Sequence, residues 1–139
     1  MAANTIPVTP KVQNVSAATV ATANTALDGT GTMVTVFTAG ADGSRVDQIR
    51  VANLGTNVAS VMRFFVNTGA INDLIHEVTL PSNTISQVAS SILIDITIPK
   101  NTSETACPIP YLKAGQKINV TVGTTGAAGW KVVVHGADY

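Results

Sequence analysis

Two segments, Lys117–Val122 and Trp130–His135, alternate apolar and other residues with the period of a β-strand. The apolar members are Ile118, Val120 and Val122 in the first segment and Trp130, Val132 and Val134 in the second. Because side chains alternate across a strand, each segment predicts a strand with one dry face. The glycine-rich residues 123–129 between them predict a loop, so we expect the two strands to form the central hairpin of an all-β domain.

The rest of the chain predicts more short strands, with turn residues between them. Residues 12–26 fit neither strand nor helix well, and residues 85–93 match a helical stripe before a strand predicted over about 90–98. Seven or eight strands at regular spacing are typical of an antiparallel β-sandwich or a barrel, and we rank a jelly-roll sandwich first and another sandwich second. The remaining predicted strands cover residues 33–38, 45–51, 58–66 and 74–80.

The length of 139 residues predicts one domain. Residues 1–11 carry Pro7 and Pro10 and no periodicity, which predicts an extended N-terminal arm, either disordered in isolation or laid against a neighbour. The β-sandwich is then expected over residues 12–139.

Charged residues make up only 12% of the chain, about half the usual share of roughly 25%. Hydrophobic residues make up 45%. This composition predicts permanent assembly, although a monomer with a Ser/Thr/Asn surface would also account for it. The net charge is zero and Lys and Arg are spread along the chain, so nucleic-acid binding is not expected.

The sequence suggests synthesis in a cytoplasm and no membrane contact. Its first residues lack the basic and apolar regions of a secretory signal, and no run of 18 apolar residues is present. The single Cys107 excludes an internal disulfide and a Cys-rich zinc site, and we expect a buried or loop thiol.

No pattern in the sequence predicts an enzyme, a cofactor or a metal. His76 and Glu77 should point to opposite faces of one strand, and His135 is expected at the surface. Asp28 and Asp42 lie in Asp-Gly turns, which already account for them; a calcium role and a glycosidase carboxylate pair remain as alternatives. Neither a nucleophile elbow nor a phosphate-binding loop occurs.

Three stretches, residues 22–32, 36–47 and 130–139, resemble a family of small proteins from tailed bacteriophages and prophages. They include the Asp28-Gly-Thr-Gly31 turn, the Gly43-Ser-Arg-Val-Asp47 strand and the Gly136-Ala-Asp-Tyr139 motif. The resemblance implies a virion structural protein, most like capsid decoration (cement) proteins. Such proteins are β-rich, often form trimers, and clamp neighbouring capsomers.

The resemblance therefore implies a homotrimer on the outer surface of the virion capsid, made in the host cytoplasm, with the major capsid protein as its partner. Alternative hypotheses are a tail, baseplate or fibre-attachment protein, and a carbohydrate-binding jelly roll that uses Tyr111 or Trp130. We expect the contacts in the arm and in the turn near residue 42. The predicted contact residues are Thr5, Ile6, Pro7, Val8, Pro10, Lys11, Asp42 and Arg45.

Overall fold

A computed structural model describes residues 9–85, 93–96 and 111–139, and of residues 93–96 only the backbone. The predictions for residues 1–8, for 86–92 and for Cys107 lie outside these ranges. The described residues form nine strands and no helix. The strands are β1 (Val12–Val20), β2 (Val34–Thr38), β3 (Ser44–Asn53), β4 (Ser60–Asn67), β5 (Asn72–Leu80), β6 (Leu93–Ile96), β7 (Tyr111–Leu112), β8 (Lys117–Val122) and β9 (Trp130–Asp138).

The strands build two antiparallel sheets, which confirms the prediction of an all-β chain and agrees with a β-sandwich. Sheet A has the order β1-β9-β3-β6, with the short β7 paired to the start of β3. Sheet B has the order β2-β8-β4-β5. Apart from β7, the pairs are nested along the chain, because β1 pairs with β9, β2 with β8, β3 with β6 and β4 with β5.

The predicted hairpin between Lys117–Val122 and Trp130–His135 is wrong. The first segment is β8 in sheet B and the second begins β9 in sheet A, so residues 123–129 cross from one sheet to the other. The predicted dry faces are correct, since all six apolar side chains are fully buried. Apolar residues at every second position show which face of a strand is buried, but they do not show which sheet the strand joins.

The core lies between the two sheets, and both β8 and β9 contribute side chains to it. Each is an inner strand of its own sheet, with a neighbour on both sides. Trp130 is the largest fully buried side chain. It is packed in a cluster with Phe37, Ile49, Met62, Phe64, Leu80 and the aliphatic side chains of β8 and β9.

The imperfect alternation in the segment 45–51 has a structural cause. The register of β3 against β9 shifts between Val46 and Gln48, so Asp47 is the extra residue of a β-bulge. The bulge lets Val46 and Ile49 both face the core although three positions separate them. Asp47 is left exposed at the kink.

The ambiguous segment 12–26 contains the edge strand β1 and the start of a long loop. Outward-facing positions of β1, such as Val15 and Ala17, are exposed, which explains its weak pattern. The predicted strand over about 90–98 agrees with β6 in the residues that the structure describes.

The loop of residues 21–33, here called the outer loop, crosses the outer face of sheet B. It starts beside β8, where Ala23 bridges Val122, and its tip reaches β5, where Asn72 Nδ2 donates to the Gly29 carbonyl at 3.0 Å. Asn24 closes the loop at its base, because its Nδ2 donates to the carbonyls of Thr30 and Thr32, both at 2.9 Å. The loop is therefore held together by one of its own side chains, as an Ω-loop is.

Asn57 connects three loops at one end of the sandwich, here called the loop end (residues 54–59, 81–85 and 123–129). Its Nδ2 donates to the Gly129 carbonyl at 2.7 Å, and its Oδ1 accepts from the N–H groups of Ala128 and Gly129 at 3.3 and 3.2 Å. Its backbone exchanges two hydrogen bonds with Asn83, at 2.8 and 3.0 Å. The side chain is buried, so these bonds satisfy a polar group that water does not reach.

We predict that Gly29→Ala lowers the free energy of unfolding by about 2 kcal/mol or more, measured by urea denaturation. Gly29 has a φ of +80°, and a Cβ there would lie 2.5 Å from the Asn72 carbonyl oxygen. The left-handed conformation alone costs an L-residue about 1–2 kcal/mol. Gly115→Ala is the matched control, because its φ is +72° and nothing lies within 4 Å of the added Cβ. Equal losses in the two variants would contradict the role given to the Asn72 contact.

Candidate functional site

Most of the described contact residues predicted from sequence meet at the end of the sandwich opposite the loop end. We call this end the tyrosine face and define it by residues 10–14, 38–45, 111–113 and 136–139. There β9 pairs with β1 on one side and β3 on the other, and the N–H of Lys11 donates to the Asp138 carbonyl at 2.7 Å. Pro10, Lys11, Asp42 and Arg45 all belong to this face, whereas Thr5, Ile6, Pro7 and Val8 lie outside the described residues.

The carboxylate of Asp138 holds the tyrosine face together. Its Oδ1 accepts a short hydrogen bond from Ser44 Oγ and another from Asn14 Nδ2 at 2.9 Å. Asn14 Nδ2 also lies 3.2 Å from the Thr38 carbonyl oxygen, to which it donates. One carboxylate thus connects the first strand of sheet A, the end of β2 and the start of β3.

Hydrogen bonds from Ser44 Oγ, and then from Asn14 Nδ2, lower the pKa of the Asp138 carboxyl below its ordinary value. Burial opposes this effect, and a further hydrogen bond from the Gly40 backbone adds to it. The lowered pKa means that folding favours the ionised carboxylate. Asp138 therefore stabilises the fold above its unfolded pKa and loses that contribution as the pH falls through its folded pKa.

The turn between β2 and β3 needs two glycines to fit against this carboxylate and against β7. A Cβ on Gly40 would lie 2.7 Å from Asp138 Cγ. Gly43 has a φ of +94°, and a Cβ there would lie 2.7 Å from the Leu112 carbonyl oxygen. Asp42 lies exposed at the tip of the turn, as expected for an Asp-Gly pair.

Two tyrosines and an arginine give the tyrosine face its exposed surface. The Tyr111 side chain is 63% exposed, and its ring is stacked on Tyr139 with 6.3 Å between the ring centroids. Arg45 is opposite Tyr111 in the pairing of β3 with β7, and its Nε lies 2.7 Å from Asp47 Oδ1. The hydrogen bond and the charge of Asp47 raise the pKa of Arg45. An exposed ion pair of this kind contributes little to stability, so a partner can replace it at little cost.

This surface has the composition of a contact site for another macromolecule. Tyrosine and arginine are enriched at protein interfaces and among the residues that dominate binding energy. The exposed ring of Tyr111, packed beside the half-buried ring of Tyr139, presents apolar surface to a partner. The described residues contain no group of three or more His, Cys, Asp or Glu side chains that could hold a metal. No helix in the described ranges has the length and apolarity of a membrane span.

The sequence does not predict the role of several residues of the tyrosine face. The Gly136-Ala-Asp-Tyr139 motif contributes to the resemblance to phage proteins, but it indicates no role for Asp138 or Tyr139. Asn14 and Ser44 carry no local signal, because their partner lies 124 and 94 positions away along the chain. Tyr111 was expected only as a possible sugar contact.

Other candidate residues have structural roles. Glu77 faces outward and binds Arg63, whereas the His76 ring lies 6.3 Å from the ring of core residue Phe64, so the two neighbours do point to opposite faces. Asp28 accepts hydrogen bonds from the N–H and Oγ1 of Thr30, at 3.1 and 2.7 Å, and these bonds lower its pKa. Trp130 is fully buried and cannot stack on a sugar.

Comparison of the chain with protein-family models, with curated proteins and with solved structures finds no match.

We predict that Asp138→Asn lowers the free energy of unfolding by about 1 kcal/mol at pH 7, because it replaces charge-assisted hydrogen bonds by neutral ones. The difference from the unsubstituted protein should shrink as the pH falls below about 4, the unfolded pKa of an aspartate. Urea denaturation at several pH values measures both effects. Asp42→Asn, at the exposed tip of the turn, is the control and should change stability little. A loss of stability in Asp138→Asn that is the same at pH 3 and pH 7 would contradict the assignment.

Proposed function

We propose that this protein is a capsid decoration (cement) protein of a tailed bacteriophage, which binds the outside of the head and stabilises contacts between capsomers. In this proposal the major capsid protein is the partner, and the tyrosine face makes the contact. The protein is made in the host cytoplasm and acts on the capsid surface of the virion. Its role is mechanical and needs no reaction and no cofactor.

The strand order supports this proposal at the level of the fold. Leaving β7 aside, eight strands form two four-stranded sheets with nested pairs, from β1 with β9 at the outside to β4 with β5 at the inside. Such nesting is what results when one long hairpin is rolled into two sheets, and we therefore propose that the sandwich is a jelly roll. Jelly rolls are common in viral capsid and lectin domains.

The observation that carries the proposal is the convergence at the tyrosine face. Two of the three stretches that resemble phage proteins, residues 36–47 and 130–139, meet there through Ser44 and Asp138. The chain enters the same face at Lys11. An arm formed by the preceding residues would therefore extend from the surface that carries Tyr111 and Arg45, and both could contact one neighbour.

Self-association into a homotrimer is the second part of the proposal. Charged residues make up only 12% of the chain, so few charged side chains would have to lose their water when copies assemble. Val12 and Val15 are exposed on β1, which is an edge strand of sheet A. An exposed edge strand with apolar side chains is suited to contact between copies.

We predict that the double variant Tyr111→Ala, Arg45→Ala binds phage heads that lack this protein at least tenfold more weakly than the unsubstituted chain. Interface hot spots are enriched in tyrosine and arginine and cost about 2 kcal/mol or more when truncated, which exceeds the roughly 1.4 kcal/mol of a tenfold change. Cosedimentation with heads measures the binding. Leu54→Ala, at the loop end, removes an exposed apolar side chain of the opposite surface and should leave binding unchanged.

Unchanged binding by the double variant would reject the tyrosine face as the contact. If the unsubstituted protein does not bind heads but cosediments with tails, the alternative of a tail, baseplate or fibre-attachment protein would replace this proposal.

We predict a particle mass in solution of three times 14.3 kDa by light scattering. Val15→Lys should reduce this mass to that of one chain, and the variant should still unfold in one cooperative urea transition, because Val15 is exposed in the single chain and lies outside the core. A monomeric mass for the unsubstituted protein would contradict the homotrimer but would leave the binding of heads to be decided by the previous experiment.

A further inference from the structure

The outer face of sheet B carries a half-buried arginine, Arg63, outside the tyrosine face. Arg63 in β4 lies opposite Thr121 in β8 and Glu77 in β5, so the three residues form a row across the sheet. Its Nε donates to Glu77 Oε1 at 2.7 Å. The Arg63 side chain is only 15% exposed, whereas that of Glu77 is 46% exposed. The pair is therefore unequal, with a largely covered cation and an accessible carboxylate.

Two polar atoms of this row have no hydrogen-bond partner among the described residues. They are Nη1 of Arg63 and Oγ1 of Thr121, and both are buried. Buried polar atoms in native proteins are almost always satisfied, and the exceptions call for an explanation such as a bound water, ion or ligand. A guanidinium that is short of an acceptor creates a preference for an anion next to it.

A pocket of about 420 Å³ lies beside Arg63, at the edge where the outer loop leaves sheet B. Thr25 of the outer loop, Ser60 and Thr124 contribute hydroxyl groups to its lining, and Gly123 leaves space in its wall. Ser60 Oγ already accepts from the Thr124 N–H at 3.0 Å, which leaves the hydroxyl proton of Ser60 as a donor. No carboxylate is among the lining residues, so the pocket offers one cation and several hydroxyl groups.

We propose that this pocket binds a small ligand through a carboxylate group, with Arg63 as the cationic contact. The planar guanidinium matches the two oxygens of a carboxylate. Glu77 already neutralises part of the charge, which favours a singly charged anion over a phosphate. The pocket is an open depression at the surface of the sheet, so it suits a small ligand that stays partly in water.

The carboxylate could belong to a simple organic acid or to an acidic sugar, and the hydroxyl groups of Thr25, Ser60 and Thr124 could then bind the hydroxyls of the sugar. The site is independent of the proposed decoration function, since it uses neither the tyrosine face nor β1.

The test uses the full chain with three probes, sodium acetate, sodium glucuronate and glucose, in a buffer of constant ionic strength. Calorimetric titration and the melting temperature measure binding, because a ligand of the folded state raises the melting temperature. We expect glucuronate to bind and glucose not to bind. Binding of acetate as tightly as glucuronate would assign the site to simple carboxylates, and tighter binding of glucuronate would assign it to acidic sugars.

Arg63→Met should weaken glucuronate binding at least tenfold. Arg45→Met is the matched control, because Arg45 also has an acidic partner but belongs to the tyrosine face, and binding should be unchanged. Gly123→Ala provides a second variant in case Arg63→Met does not fold. Its added Cβ would lie 3.4 Å from Arg63 Nη1, an ordinary contact, and would narrow the pocket, so binding should weaken while the urea midpoint stays the same.

Three results would overturn the proposal. They are no binding of acetate or glucuronate to the unsubstituted chain, equal binding by the unsubstituted chain and Arg63→Met, and an equal effect of chloride or sulfate, which would indicate an adventitious ion only.

Discussion

The burial of β8 and β9 in one core, each from its own sheet, is the constraint on which the other features depend. Each strand is an inner member of its own sheet and contributes three fully buried side chains to the core. Trp130 supplies bulk that the valines and isoleucines around it lack, so one large ring spans space that small aliphatic side chains would fill poorly. With these two strands fixed, β1 and β3 pair with β9, and β2 and β4 pair with β8. The sheets then end in loops that need other means of support.

That support comes from polar side chains rather than from the core. At one end Asp138 accepts from Ser44 and Asn14, and at the other Asn57 binds the backbone of Ala128 and Gly129. Both side chains bind groups from distant parts of the chain. Each one therefore satisfies polar groups in several segments that water would otherwise have to satisfy. A rigid tyrosine face follows from this arrangement, because the backbone of Gly43 also accepts from the N–H of Tyr139 at 3.2 Å. Preorganised surfaces lose less entropy when they bind, so this rigidity favours the contact proposed above.

The sequence was sufficient to predict most strands and their dry faces but not their partners. The alternation of Ile118, Val120 and Val122 is a local property, so it can be read directly from the chain. The partner of a strand depends on residues far away, which is why β8 and β9 were wrongly joined in one hairpin. The alternation of apolar residues also fails to predict the bulge at Asp47 and the edge strand β1, because neither follows a simple period of two. The predicted contact residues Pro10, Lys11, Asp42 and Arg45 lie on the tyrosine face and remain predictions. The role of Asp138 could be found only after the fold had brought Asn14 and Ser44 beside it.

The nested pairing has a consequence for the order in which the chain can fold during synthesis. Val12 in β1 is paired with Asp138, and Val20 with Trp130, so β1 has no partner in sheet A until β9 has left the ribosome. The inner pair β4 with β5 becomes available much earlier. Contacts between residues far apart in sequence form slowly because closing such loops costs entropy. During that interval both edges of β1 are unpaired, and the pairing with β9 then closes one of them.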